Sequence, residues 1–372
     1  MTLFNFFTCI ETQYNNELPF VAYRKPGESS ISAFLQKDNT LHITKDFTEK
    51  GFVFAPFDDA LDAILLPVEN ASKIICSDYE VIPTQLNGKP LSVVTDEQKA
   101  FHINLVNKGV EAIKDAAFEK VVLSRQEDVK IKETNPIEIF KSLLNHYPLA
   151  FAYCWYHPKV GLWLGATPET LIKIEGQQFS IMSLAGTQEY NGTLDVTWQN
   201  KEREEQQFVT DFIVDSIKPS VGHLKVSKTE TVKAGNLVHL RTLISARLDS
   251  NSALKDVISI IHPTPAVCGL PKQESKEFIL KNENYNREYY TGFLGELNLE
   301  TVAKPRSGRR NIENRAYAIP KKSTQLYVNL RCMQIKNSTA IIYVGGGITS
   351  HSNAESEWEE TVSKSKVMKN VL

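Results

Sequence analysis

The stretch Ala340-Ile341-Ile342-Tyr343-Val344-Gly345-Gly346-Gly347-Ile348-Thr349-Ser350-His351-Ser352-Asn353, followed by Glu355, Glu357, Glu359 and Glu360, decides how the rest of the chain is read. The apolar run is a strand. Three glycines let its backbone come close to a ligand and aim N–H groups at it. Ser352 or Asn353 is the expected N-cap of an acidic helix. Helical spacing puts Glu357, Glu360, Lys364, Val367, Met368 and Val371 on one stripe, so two carboxylates continue the line of a face that turns apolar. Such carboxylates repel unless a cation lies between them. The alternative is a solvated acidic helix start favoured by the helix dipole. A second acidic site elsewhere decides between the two.

The helix expected over 201–217 offers one. Phe208, Val209, Phe212, Ile213 and Ile217 define its buried stripe, Glu205 faces the same way, and Glu202 sits a turn earlier. An inward carboxylate is costly unless it is paired or bound to metal. Two helices that each extend carboxylates along a buried face suit a shared Mg²⁺, which takes one or two carboxylates, keeps waters and accepts anionic substrate oxygens.

Working outward, Thr95 and Gln98 form a capping box for a helix with Phe101, Leu105, Ile113 and Ala117 on its apolar face. That helix leads to the strand Lys120-Val121-Val122-Leu123-Ser124-Arg125, where Lys120 is either an exposed edge lysine or a desolvated one able to take a proton. A helix at 135–146 begins with Pro136, and strands follow at 149–156 and 161–166. In Thr167-Pro168-Glu169-Thr170, Glu169 is either a plain turn carboxylate or an acid kept neutral by burial. Ser183-Leu184-Ala185-Gly186-Thr187 reads as a small-residue turn able to present N–H groups to an anion. His262-Pro263-Thr264-Pro265-Ala266-Val267 reads as a stiff wall, and Arg331, expected in the middle of a strand over 326–335, needs an anion. The basic segment 304–322 reads as a solvated hairpin loop. Residues 1–93 read as scaffold, with short strands at 30–35, 40–44, 51–55 and 73–76.

The bulk properties of the 372 residues, 42% hydrophobic and 23% charged with net charge −2, argue against a generic nucleic-acid or membrane-surface binder. The longest apolar runs, such as 60–68, fall short of the roughly 20 residues a span needs. The first residues lack a basic region and a cleavage site, and five dispersed cysteines form no CxxC pair. A cytoplasmic globular protein is expected.

KVVLSR (120–125), GATPE (165–169), SLAGT (183–187), KEREEQQFV (201–209), HPTPAVCGLPK (262–272), NREYYTGFLGEL (286–297), LRC (330–332) and GGGITSHSNAESEWEETVSKSK (345–366) together resemble the chorismate-utilising enzymes, isochorismate synthases above all. The first 95 residues match loosely. The resemblance implies an α+β chorismate-binding fold of two orthogonally packed antiparallel β-sheets flanked by outer α-helices. It implies a single enzyme domain over 1–372, with 1–95 a variable part of the scaffold and 96–372 the catalytic region.

It further implies Mg²⁺ held by Glu205 and Glu360, with Glu357 close by, against the ring carboxylate of chorismate. Arg331, Gly345 and Gly346 would hold the enolpyruvyl carboxylate, Lys364 would add a counter-charge, and Gly186 an N–H. Lys120 would activate water for attack at C2, and Glu169 would protonate the departing C4 hydroxyl. Anthranilate-forming relatives tend to have glutamine at Lys120 and threonine at Ala266. Salicylate synthases also tend to threonine there, and aminodeoxychorismate synthases often place a lysine at Ala185, so water is the expected nucleophile. Gln206 and Gln207 depart from the histidine or acid frequent in relatives, which bears on the surroundings of the metal. A monomer is implied, with isochorismate destined for menaquinone or a catecholate siderophore. The rival from another class is a catalytically silent binding protein.

Overall fold

The glycine-bearing strand Thr339–Ile348 lies antiparallel to Lys120–Lys130 along its whole length, Ile348 opposite Val121 and Gly347 opposite Val122. The structure, a computed structural model, describes residues 1–81, 91–92, 94–131, 135–234, 237–248, 253–301 and 321–372. Most of the basic segment 304–322 therefore lies outside the described residues.

Among the described residues the strands form two antiparallel sheets of ten strands each. The first runs Gly269–Leu270, Lys120–Lys130, Thr339–Ile348, Cys332–Lys336, Gly161–Thr167, Phe151–His157, Phe20–Arg24, Ile31–Gln36, Ala71–Cys76, with Leu91–Ser92 also on Lys120–Lys130. The second runs Val221–Val226, Leu237–Leu248, Gln178–Glu189, Thr170–Glu175, Lys321–Val328, Phe293–Thr301, Gly51–Ala55, Ala63–Pro67, His42–Thr44, with Glu230–Ala234 also on Leu237–Leu248. Residues before 77 thus supply strands to both sheets, Val21 pairing with Trp155 and Phe54 with Leu294.

Seven α-helices flank the sheets among the described residues: α1 (Leu3–Asn15), α2 (Asp96–Lys114), α3 (Pro136–His146), α4 (Asn200–Ile217), α5 (Leu254–Ile261), α6 (Lys272–Asn282) and α7 (Ala354–Lys369). An aromatic layer fills the space between the sheets: Tyr23, Phe34, Trp155 and Trp163 from the first meet Phe52, Phe54 and Tyr327 from the second. Phe151 stacks on Tyr327 with ring centroids 4.0 Å apart. On the outer face of the first sheet α1 and α3 bury Phe6, Ile10, Phe140 and Leu143. On that of the second, α4 and α5 bury Val209, Ile213, Ile217 and Ile261.

The capping box of α2 and the caps Asn135 and Asn353 form as the sequence indicates. Several expectations are corrected. The buried face of α2 is His102, Leu105, Val106 and Gly109, while Phe101 and Ala117 face solvent. Phe208 is exposed, because α4 turns its Val209–Ile213 edge to the sheet. Residues 183–187 are no turn: they lie inside the strand Gln178–Glu189, at a register shift that carries Gly186 to a φ of 68°. The strand expected over 326–335 is two strands in different sheets, and Arg331 sits at the crossover with a φ of 48°.

One buried ion pair braces this scaffold behind the cavity described below. Arg287 donates from Nη2 to Glu283 Oε1 at 2.6 Å and from Nε to Oε2 at 2.8 Å. It also caps the carbonyls of Val122 (2.7 Å) and Val267 (3.0 Å), and Glu283 takes the Ser124 N–H at 2.8 Å. Arg287→Ala, which leaves the Glu283 charge buried, should cost about 3–5 kcal/mol in urea unfolding. The double change Arg287→Met, Glu283→Gln should cost less than the single one, because no lone charge remains.

Candidate active site

Gly347 leaves room for two side chains to meet over the strand. A Cβ there would lie 2.7 Å from Glu205 Oε1 and 3.1 Å from Lys120 Cε, so any side chain would push the tips of those two residues off their present contact. Lys120 is buried in the interior of the first sheet and donates to Glu205 Oε1 at 2.7 Å, which removes the exposed-edge reading. Lys364, one turn after Glu360 on α7, bonds Glu360 Oε1 at 2.6 Å and the Gly345 carbonyl at 2.9 Å. A Cβ on Gly346 would stand 3.4 Å from Glu357 Oε2 and 3.8 Å from Glu360 Oε1. Glu357 is buried and accepts at Oε1 from Ser352 Oγ at 2.6 Å. The two acidic helices therefore converge on one glycine strand, and the solvated-start reading of α7 falls.

These groups surround a cavity. Glu169, Gly186, Glu205, Ala266, Arg331, Gly345, Gly346, Glu360 and Lys364 all line it. Lys120 and Glu357 stand one contact behind, through Glu205 and Gly346.

Glu169 is fully enclosed at the end of the turn fixed by Pro168, its N–H on Thr167 Oγ1 at 3.3 Å and its carbonyl on the Val328 N–H at 3.0 Å. Burial pushes its carboxyl up to about 8, against the opposing pull of Lys120 and Arg331. It is an acid that holds its proton at neutral pH. Across the cavity, burial lowers the Arg331 guanidinium to about 10.

A histidine without any signal in the sequence belongs here as well. His239 Nδ1 lies 2.9 Å from the Gly186 carbonyl, and Nε2 lies 3.2 Å from Arg331 Nη2. A carbonyl only accepts and a guanidinium only donates, so the proton is on Nδ1, with the Thr187 hydroxyl oxygen 3.3 Å away as a second acceptor, and the ring is neutral. Burial, then the Arg331 charge, brings it down to about 3. His239 thus orients Arg331 at any ordinary pH. Glu202 and Tyr290 line the cavity as well. A neutral histidine and a tyrosine in separate strands and loops carry no sequence spacing that would have grouped them.

Gln206 and Gln207 face away from the carboxylates. Gln206 Nε2 bonds Ser183 O (3.1 Å) and Thr242 Oγ1 (3.0 Å), pinning α4 to its sheet, and Gln207 bonds Asp211 on the surface. The departure from relatives therefore leaves the acidic cluster untouched.

Mg²⁺ fits the donor chemistry: Glu205, Glu357 and Glu360 offer only oxygens around Gly346 and Gly347, and Glu202, beside Gly186 on the same cavity, has its Oε2 buried without a hydrogen-bond partner among the described residues. No three acidic, histidine or cysteine side chains are gathered tightly enough among the described residues to hold an ion by themselves. An ion that keeps waters and shares its shell with a ligand needs no such cage.

Two antiparallel sheets enclosing an acid, an amine, a guanidinium and a carboxylate cluster define an enzyme-type site for a small anion. The family model described as chorismate binding enzyme matches residues 53–304, and a second of the same description matches 316–370. The chain belongs to the chorismate-binding enzyme family. Isochorismate synthase MenF of Pasteurella multocida is 28% identical over 280 residues, 72% of this chain and 60% of that protein. Isochorismate synthase EntC of Escherichia coli K12 is 25% identical over 286 residues, 74% of this chain and 68% of that one. The matched stretch thus spans less than two thirds of the Pasteurella relative. In fold, DhbC of Bacillus anthracis superimposes with a TM-score of 0.76 at 21% identity, over 97% of this chain and 98% of that one. Anthranilate synthase component I of Streptococcus pneumoniae does so at 0.65 and 16%, over 94% and 92%.

The Glu169 proton has a consequence for stability. The folded carboxyl titrates near 8 and the unfolded one near 4.5, so between those values the folded state holds a proton that the unfolded state has lost. Stability therefore falls as pH rises from about 4.5 to about 8. Melting temperatures across that range should show Glu169→Gln gaining steadily on the parent, with the gain levelling off above it.

Proposed function

We propose that this chain is an isochorismate synthase, which adds water at C2 of chorismate and expels the C4 hydroxyl. The observation that carries this is a buried Glu169, protonated at neutral pH, in the cavity that Lys120 approaches from behind Glu205. Moving a hydroxyl across an allyl system needs a base at one ring position and an acid at the other. Lys120, as general base, takes a proton from water as the oxygen bonds to C2. Glu169 gives its proton to the C4 oxygen as that C–O bond breaks and a water departs. One water enters and one leaves, and both residues then re-exchange protons with solvent.

Arg331, oriented by His239, is the fork for the enolpyruvyl carboxylate, and Lys364 and the Gly345–Gly346 backbone line the same cavity. Mg²⁺ on Glu205 and Glu360, with Glu357 and Glu202 at hand, would neutralise and orient the ring carboxylate. Ala266 lines the wall where amine-using and pyruvate-releasing relatives tend to carry threonine, which favours water and retention of the side chain. A cytoplasmic enzyme goes with five free cysteines, four of them buried, and a monomer with the resemblance. Its product would serve menaquinone or catecholate siderophore synthesis. No described helix is long and apolar enough to cross a membrane.

Chorismate with Mg²⁺ should yield isochorismate by chromatography, with salicylate and pyruvate at traces; anthranilate formed from added ammonia would overturn the choice of water. Lys120→Ala and Glu169→Gln should each lower kcat by about 10²- to 10⁴-fold with the circular dichroism unchanged. Glu360→Ala should raise the Mg²⁺ requirement and KM. Turnover should decline as pH rises through about 8, where Glu169 loses its proton.

A further inference from the structure

A second cavity of about 210 Å³ adjoins the catalytic one, of about 140 Å³, and shares Pro168 and Arg331 with it. Its walls are largely apolar, Pro148, Leu149, Ala150, Ala166 and Val367 among them. Two polar atoms on its rim are already engaged: Tyr147 Oη donates to the Val367 carbonyl at 2.7 Å, and His146 Nδ1 meets the Ser142 carbonyl at 2.8 Å. Two cations remain, Arg331 and Lys233. Among the described residues neither is in an ion pair with a carboxylate. Arg331 has the neutral His239 ring for a neighbour, and Lys233 lies 3.7 Å over the Tyr190 ring. Desolvation already lowers the Arg331 guanidinium, so an anion there relieves a charge held away from water.

We propose that this second cavity is a binding site for a small monocarboxylate with a flat apolar body, the carboxylate held by Arg331 and Lys233 and the body by the proline and alanine walls. The chain's own residues complete the match: two donors-only cations answer an acceptor-only carboxylate, and apolar walls answer the rest of the ligand. Because Arg331 faces both cavities, an occupant draws the guanidinium away from the catalytic side. It would raise KM for chorismate without lowering kcat, a consequence that rests on the isochorismate synthase reading.

The site itself is tested without turnover, so its failure and the failure of that reading are separable. Benzoate is titrated calorimetrically into the full chain in the absence of chorismate, beside its neutral isostere benzamide. Leu149 and Lys233 are both exposed, so Leu149→Glu and Lys233→Glu should fold normally. Expected is binding of benzoate at one site, none of benzamide, and an affinity weakened about tenfold or more by either mouth substitution. Ala266→Leu, which narrows only the catalytic cavity, should leave that affinity intact. The proposal is overturned by absence of benzoate binding, by equal binding of benzamide, by indifference to both mouth substitutions, or by loss of binding in Ala266→Leu.

Discussion

The missing side chain at Gly347 is the constraint on which the site depends. Lys120 rises from the strand next to the edge of one sheet, Glu205 descends from α4 on the other, and the two meet directly over the backbone of a third element. A methyl group at that point would occupy the space of the Glu205 carboxylate. With it absent, each acidic helix brings a carboxylate to the strand and each finds a lysine, Lys120 for Glu205 and Lys364 for Glu360. The pairing keeps like charges tolerable at close quarters while leaving oxygens that a divalent ion or a substrate can recruit.

Acid and guanidinium are coupled through the place where the chain changes sheets. Val328 ends a strand of one sheet and Cys332 begins a strand of the other. The Val328 N–H holds the Glu169 carbonyl, Asn329 receives the Tyr153 hydroxyl at 2.6 Å, and Arg331 follows in a left-handed conformation. Backbone strain of this kind persists where its surroundings over-determine it. Here the aromatic layer between the sheets does so, and the placement of the Glu169 turn relative to Arg331 becomes a property of the scaffold.

Much of this was legible from residues alone. The stripe Glu357, Glu360, Lys364, Val367, Met368 and the inward Glu205 are local periodicities, and α4 and α7 honour them. Asn353 and the Thr95–Gln98 box declare helix starts through short-range hydrogen bonds, so they read correctly. What failed was non-local. The run 326–335 has unbroken strand composition, and only the arrangement of two sheets makes it turn at Arg331. The small residues at 183–187 suggest a turn, yet pairing with Leu237–Leu248 keeps them in a strand and confines the irregularity to a bulge at Gly186. The helix Leu3–Asn15 and the strands Phe20–Arg24 and Ala63–Pro67 went unassigned in a region without chemical motifs. His239 entered the site only because two sheets put it between Gly186 and Arg331.

The early residues that pair into both sheets impose an order of assembly. Phe54 has Ile64 beside it early but gains its second backbone neighbour only when Leu294 has been made, and Val21, beside Phe34, only when Trp155 has. Contacts so distant along the chain must await costly loop closures, which slows folding. While the ribosome works through the intervening chain, the newborn amino-terminal strands expose unpaired edges of the kind that invite association with other chains. A hazard of association during synthesis follows from the weave itself, independent of the chemistry in the cavity.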